Sequence, residues 1–163
     1  MKTLKVLTEF LKQVNAWRND SDIWTISDDG DYIVLMRGSF MALRFPRDMF
    51  PFDLENYIVK DYYRNNLNFE EMTKATDYIP AVYSGTCRET EAVRGKKKGV
   101  MKKIVATNKP DKYAWVNQAY LEYFHEPTFA LSDTKYCQTS LVRIYEDNRL
   151  VGIVCPIRVK EDA

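Results

Sequence analysis

The sequence predicts an α+β fold, on three observations. A helix-period stretch near the N-terminus is followed by three short strands. The last third repeats that order, a helix and then three strands. Between them lies a pattern for one long hairpin with a basic tip. At 163 residues one domain is the natural size. The reading is therefore one domain over 1–163, made of two helix-plus-antiparallel-strand half-domains at about 1–50 and 78–160. A helical connection at 51–77, an extra central helix, joins them.

Residues 3–17 put Leu4, Leu7, Leu11 and Val14 on one stripe, with Phe10 and Trp17 at its margins. Lys5, Glu9 and Lys12 lie toward the other side. This is the spacing of a helix facing a core. A helix lying on a membrane would carry a polar face rich in Lys and Arg, which the mixed face here is not. Strands follow at 23–26, 32–36 and 40–45, with glycines in the turns at 27–31 and 37–39. Asp28, Asp29 and Asp31 crowd the first turn. An EF-hand loop needs a longer alternation closed by glutamate, so a solvated hairpin turn is expected there.

Pro46 and Pro51 bound a turn, and Asp53 is placed to cap a helix running to about residue 64, with Leu54, Tyr57 and Ile58 at helical spacing. Asn65, Asn66 and Asn68 break it, and 69–76 suit one more helical turn. Residues 78–108 read as a long hairpin, with arms at 79–93 and 100–107 and a tip at 94–99. Arg94, Lys96, Lys97, Lys98, Lys102 and Lys103 make it the one local charge anomaly of the chain. Such side chains can neutralise phosphates without reading bases. The plainer alternative is a solvated loop whose lysines keep a sheet edge soluble. Glu89 and Glu91, alternate residues on a strand, are expected to pair across it with Lys102 or Lys103.

The last third gives a strand at 113–116, Asn117 as a helix N-cap, and a helix at 118–124 with Tyr120, Leu121 and Phe124 on one face. Strands follow at 128–131, 140–145 and 150–155, the last two joined by a polar turn at 146–149. Two runs stand out: Ala-Trp-Val-Asn-Gln-Ala-Tyr-Leu at 114–121 and Ile-Val-Cys-Pro-Ile-Arg-Val at 153–159. Over residues 112–159 the element order and these runs resemble the last domain of the bacterial DNA polymerase III β sliding clamp. There, a strand ending in Asn-Pro or similar leads into a helix carrying Tyr-Leu, and the chain closes on Val-Val-Met-Pro-Met-Arg-Leu.

That resemblance implies a DNA clamp-like domain with internal pseudo-symmetry. It also implies a partner groove lined by Ile153, Cys155, Pro156, Ile157 and Arg158, which would accept short linear motifs from replication or repair proteins. Cysteine stands where the family has methionine, which makes a shallower pocket. Read from the residues alone, 153–157 is a core strand running out at a proline. Clamps close a ring from six such domains, so a homo-oligomer or a non-ring role is implied. The expected function is that of a non-enzymatic clamp-like protein of DNA metabolism, or an interaction module derived from that fold, of the kind a mobile element could carry. The alternative is a freestanding nucleic-acid-binding protein acting through the basic hairpin at 94–103, on DNA backbone and without sequence preference.

Composition narrows the rest. A net charge of +1 argues against a polycation acting through its whole surface. Cys87, Cys137 and Cys155 are odd in number, widely spaced and without a C-x-x-C pair, which speaks against a disulfide framework or a zinc site and for a reducing cytoplasm. No apolar run is long enough to span a membrane, and the basic N-terminus leads into an amphipathic helix rather than a signal-peptide core. His125, the one histidine, sits at a helix end where it suits a cap better than catalysis. No nucleophile elbow, phosphate-binding glycine loop or metal-ligand spacing occurs, so no enzyme activity, metal or cofactor is expected.

Overall fold

The structure is a computed structural model that describes residues 1–14, 24–37, 40–53, 77–91 and 98–159. It is α+β, with antiparallel strands and few helices. The expected central helix at 53–64 and the turn at 69–76 lie almost wholly outside the described residues. The chain divides into two compact units, Lys2–Lys74 and Ala75–Ala163, the second also including Met1. None of the helices among the described residues is long and apolar enough to cross a membrane.

The first unit holds α1 (Thr3–Val14) and the meander β1 (Trp24–Asp29), β2 (Tyr32–Arg37) and β3 (Met41–Pro46), each strand pairing antiparallel with the next. Gly30, at φ +70°, starts the two-residue turn between β1 and β2 and takes the left-handed conformation that such a turn requires. Arg47 fastens that turn: its backbone N–H donates to the Asp31 carbonyl at 3.0 Å and its Nε to the Gly30 carbonyl at 2.7 Å.

The helix buries a different stripe from the one expected. Val6 and Phe10 are fully buried, whereas Leu4 is 79% exposed. Leu4 lies about 200° around the helix from Val6, at 100° per residue, so one face cannot bury both. An aromatic cluster decides between them. The Phe10 ring packs 5.6 Å from Phe50 and 5.7 Å from Phe52, and Phe50 meets Phe45 edge-on at 5.8 Å.

The second unit contains β4 (Tyr78–Glu91), β5 (Lys98–Ala106), β6 (Tyr113–Asn117), α2 (Gln118–Leu121), β7 (Thr128–Ser132), β8 (Val142–Glu146) and β9 (Arg149–Val154). Its six strands run in the spatial order β9-β8-β7-β4-β5-β6, all antiparallel. Asn117 caps α2 as expected, its Oδ1 accepting from the Ala119 N–H at 2.9 Å. The helix is a single turn and stops at Leu121 rather than Phe124. Glu126 takes φ +45° just before Pro127, a position from which helix is disfavoured. Tyr123, Phe124 and Leu121 are nonetheless buried. The β8–β9 turn has Asp147 and Asn148 both at positive φ, the geometry of a tight hairpin turn that Asn and Asp tolerate.

One face of this sheet carries most of the core, and Met101, Trp115 and Ile153 are buried on the other. Ile79, Ala81, Ile104, Ala114, Val116, Phe129, Leu131, Val142, Ile144 and Val154 are all buried, and the strand registers bring them to the same side. Truncating Ile144, which is fully buried, to alanine is expected to lower unfolding stability by about 2–5 kcal/mol. Val82→Ala, at a residue 52% exposed, should cost under about 1 kcal/mol. Urea denaturation of the two variants measures the contrast.

Candidate nucleic-acid interface

The basic hairpin is built from β4 and β5, and it occupies the middle of the six-stranded sheet. β7 pairs with β4 only over Tyr78–Ala81, and β6 pairs with β5 only over Met101–Val105. Beyond that, from Glu89 and Val100 outward, β4 and β5 pair with each other as a two-stranded ribbon as far as Glu91 and Lys98. At 3.3 Å per residue the three residues past Met101 carry the described ribbon roughly 10 Å beyond the sheet. The far end of the hairpin is tied down by polar contacts. The Thr107 N–H and hydroxyl both donate to the Pro80 carbonyl, at 2.9 and 3.2 Å. Lys109 Nζ meets Asp133 Oδ2 at 2.6 Å, and the Lys112 ammonium donates to the Thr134 carbonyl at 2.9 Å.

Of the six basic candidates, Lys102 and Lys103 are the two whose side chains the structure places. Arg94, Lys96 and Lys97 lie outside the described residues, and Lys98 begins β5. Lys102 and Lys103 are consecutive strand residues and therefore project from opposite faces. Lys102 extends the core face outward, its ammonium 4.8 Å from the Tyr83 ring centre. Lys103 stands on the other face, 3.9 Å over the Tyr113 ring and 5.7 Å from Trp115. Arg88 joins it there, its guanidinium 5.4 Å from the Trp115 ring.

A bulge separates the ribbon from the sheet. Tyr83 faces Ile104 and Cys87 faces Lys102, so Ser84, Gly85 and Thr86 stand against Lys103 alone. Gly85 sits at φ +75°, and the Thr86 N–H donates to the Ser84 hydroxyl at 3.3 Å. Such bulges bend a strand and re-aim what lies beyond it. The register also corrects the expected acid–base pairing. Glu89 stands opposite Val100 and Glu91 opposite Lys98, while Lys102 faces Cys87; neither acid is placed directly across from Lys102 or Lys103.

The closing strand is placed as follows. Ile153 is 1% exposed, in β9. Cys155, Pro156 and Ile157 are half-buried in an extended segment after it, and Arg158 is exposed. The Ile157 N–H donates to the Trp115 carbonyl at 2.7 Å, so this segment runs along the outer edge of β6. Cys137 Sγ meets the Tyr113 carbonyl on the same edge at 3.6 Å. His125 donates its backbone N–H to Glu146 at 2.7 Å and is exposed. Among the described residues no group of three or more His, Cys, Asp or Glu is placed to hold a metal.

Burial pushes the Tyr83 hydroxyl above its ordinary pKa, and it likewise raises that of the Cys155 thiol. Both groups are therefore neutral near pH 7. Tyr83 meets Phe129 edge-on at 4.8 Å and closes the core at the ribbon's root.

The aromatic and arginine members of this site, Arg88, Tyr83, Tyr113 and Trp115, are not singled out by the sequence, because their meeting depends on register across three strands. The bulge does leave a local signal: an isolated glycine, Gly85, inside a strand pattern. Comparison with known proteins finds no matching family model, no matching curated protein and no matching solved structure.

Replacing Gly85 by alanine meets no steric obstacle within 4 Å, so its cost is conformational: a destabilisation of about 1 kcal/mol, read by thermal melting. Alkylation at pH 8 should label exposed Cys87 first and buried Cys137 last. Cys155, half-buried and with its thiol pKa raised by burial, should fall between them and gain as pH rises, because the thiolate is the reactive form. Peptide mass spectrometry resolves the order.

Proposed function

We propose that this protein is a non-enzymatic nucleic-acid-binding protein that grips backbone phosphates through the β4–β5 hairpin, without reading sequence. The observation that carries this reading is the ribbon itself. It extends past both flanking strands and is anchored at its foot by polar contacts, and the sequence over 92–103, which includes its outer end, contains six cations and no acid. A cation on an extended arm can reach a phosphate without desolvating a core, and each phosphate neutralised releases a counterion. Binding of this kind supplies affinity and orientation rather than sequence discrimination.

A second reading, a clamp-like interaction module of DNA metabolism, is favoured by one observation. A helix followed by a three-stranded antiparallel meander occurs twice, as α1-β1-β2-β3 and as α2-β7-β8-β9. On this reading the partner surface falls on Cys155, Pro156, Ile157 and Arg158, with Ile153 supporting it from within. The chain would act as an oligomer, which its mass in solution measures, and capture of a clamp-binding peptide would report the groove.

Neutralising the tip with K96Q/K97Q/K98Q is expected to abolish retention of a short DNA duplex in a low-salt mobility-shift assay. The fold should stay unchanged by circular dichroism. Undiminished retention would refute the hairpin reading.

A further inference from the structure

The two faces of the hairpin root differ in chemistry. On the core side, Lys102 shares its face with Cys87, Tyr83 and Glu89, so an acid accompanies the cation. The opposite side carries Arg88 and Lys103 with Tyr113 and Trp115, and no carboxylate among these neighbours. Lys103 and Trp115 are cross-strand partners in a pair whose Trp115 carbonyl is turned outward to Ile157, which brings the two side chains close. Trp115 is 4% exposed, and its indole N–H finds no acceptor among the described residues. Tyr113 is half-buried and Arg88 exposed.

We propose that this face, Arg88, Lys103, Tyr113 and Trp115, binds single-stranded nucleic acid, with a base stacked on the Tyr113 ring and the two cations on flanking phosphates. The proposal rests on the hairpin reading above and names its substrate class. A duplex keeps its bases stacked on one another and offers such a surface only phosphates, whereas an unpaired strand offers both base faces and backbone. Lys103 already lies 3.9 Å over one side of the Tyr113 ring, so a phosphate beside a stacked base meets a cation held in place. Trp115, too buried to stack on a base, is a positioning residue: its ring holds both Arg88 and Lys103.

The same sheet side continues across β7 to β8, where the Arg143 guanidinium lies 3.6 Å over the Tyr78 ring. Four interstrand spacings separate β8 from β6, roughly 19 Å, enough for a strand to pass from one cation–aromatic stack to the other.

The test uses the full chain and two fluorescein-labelled probes in polarisation titrations at low salt: an oligothymidine of about twenty nucleotides and a mixed-sequence duplex of equal length. The wild type is expected to bind the single strand about tenfold more tightly than the duplex. Y113L should lose about tenfold on the single strand and little on the duplex, while Y113F keeps wild-type affinity for both. R88Q, at an exposed side chain, should weaken single-strand binding several-fold and shallow its salt dependence. Equal affinity for the two probes, or unchanged single-strand binding in Y113L and R88Q, overturns the proposal. The hairpin reading survives that outcome if K96Q/K97Q/K98Q still abolishes binding. Absence of binding to either probe overturns both.

Discussion

The antiparallel ladder between β4 and β5 is the constraint on which the second unit depends. Because these two strands lie between β7 and β6, each offers one edge to a flanking strand near its foot and, among the described residues, none toward Glu91 and Lys98. The same ladder therefore joins β7 to β6 and projects beyond both. The bulge around Gly85 lets the projecting part depart from the plane of the sheet without breaking the pairing on either side. Edge strand β6 is not left bare: its outer carbonyls at Tyr113 and Trp115 accept from the Cys137 thiol and the Ile157 backbone N–H.

Charge is arranged locally on a chain that is nearly neutral overall. Long cationic side chains usually lose rotamer freedom when they bind a phosphate. Here Lys102, Lys103 and Arg88 each rest near an aromatic ring, so part of that loss is already met by folding. The division of Lys102 and Lys103 between two faces follows from the period of a strand, and it gives those faces different chemistry. One sets Lys102 on the same side as Glu89 at the mouth of the core, and the other sets Lys103 and Arg88 beside Tyr113 and Trp115.

Much of the architecture was legible in the sequence because it is written locally. Short apolar runs bounded by turn residues marked β2, β3, β8 and β9 to within a few residues, and Asn117 marked the start of α2. Gly30 and the Asp147-Asn148 pair marked turns that need left-handed backbone. The misses have a common physical origin in long-range packing. The Leu4 stripe competed with the Val6–Phe10 stripe, and only the rings of Phe50 and Phe52 settle which one is buried. The hairpin pattern showed a ribbon but not that β6 and β7 flank it. Without that register, Arg88, Tyr113 and Trp115 have no visible reason to be neighbours of Lys103.

The central claim is that the hairpin tip carries the electrostatic part of nucleic-acid binding. The most direct measurement is the slope of log binding constant against log salt for the intact protein and for a variant whose residues 92–97 are replaced by a two-residue Asn-Gly turn. That replacement removes Arg94, Lys96 and Lys97 while leaving the ladder and its register intact. The account predicts a slope shallower by about 2 to 3, at roughly 0.7 to 0.9 per phosphate contact. An unchanged slope in a folded variant would contradict it.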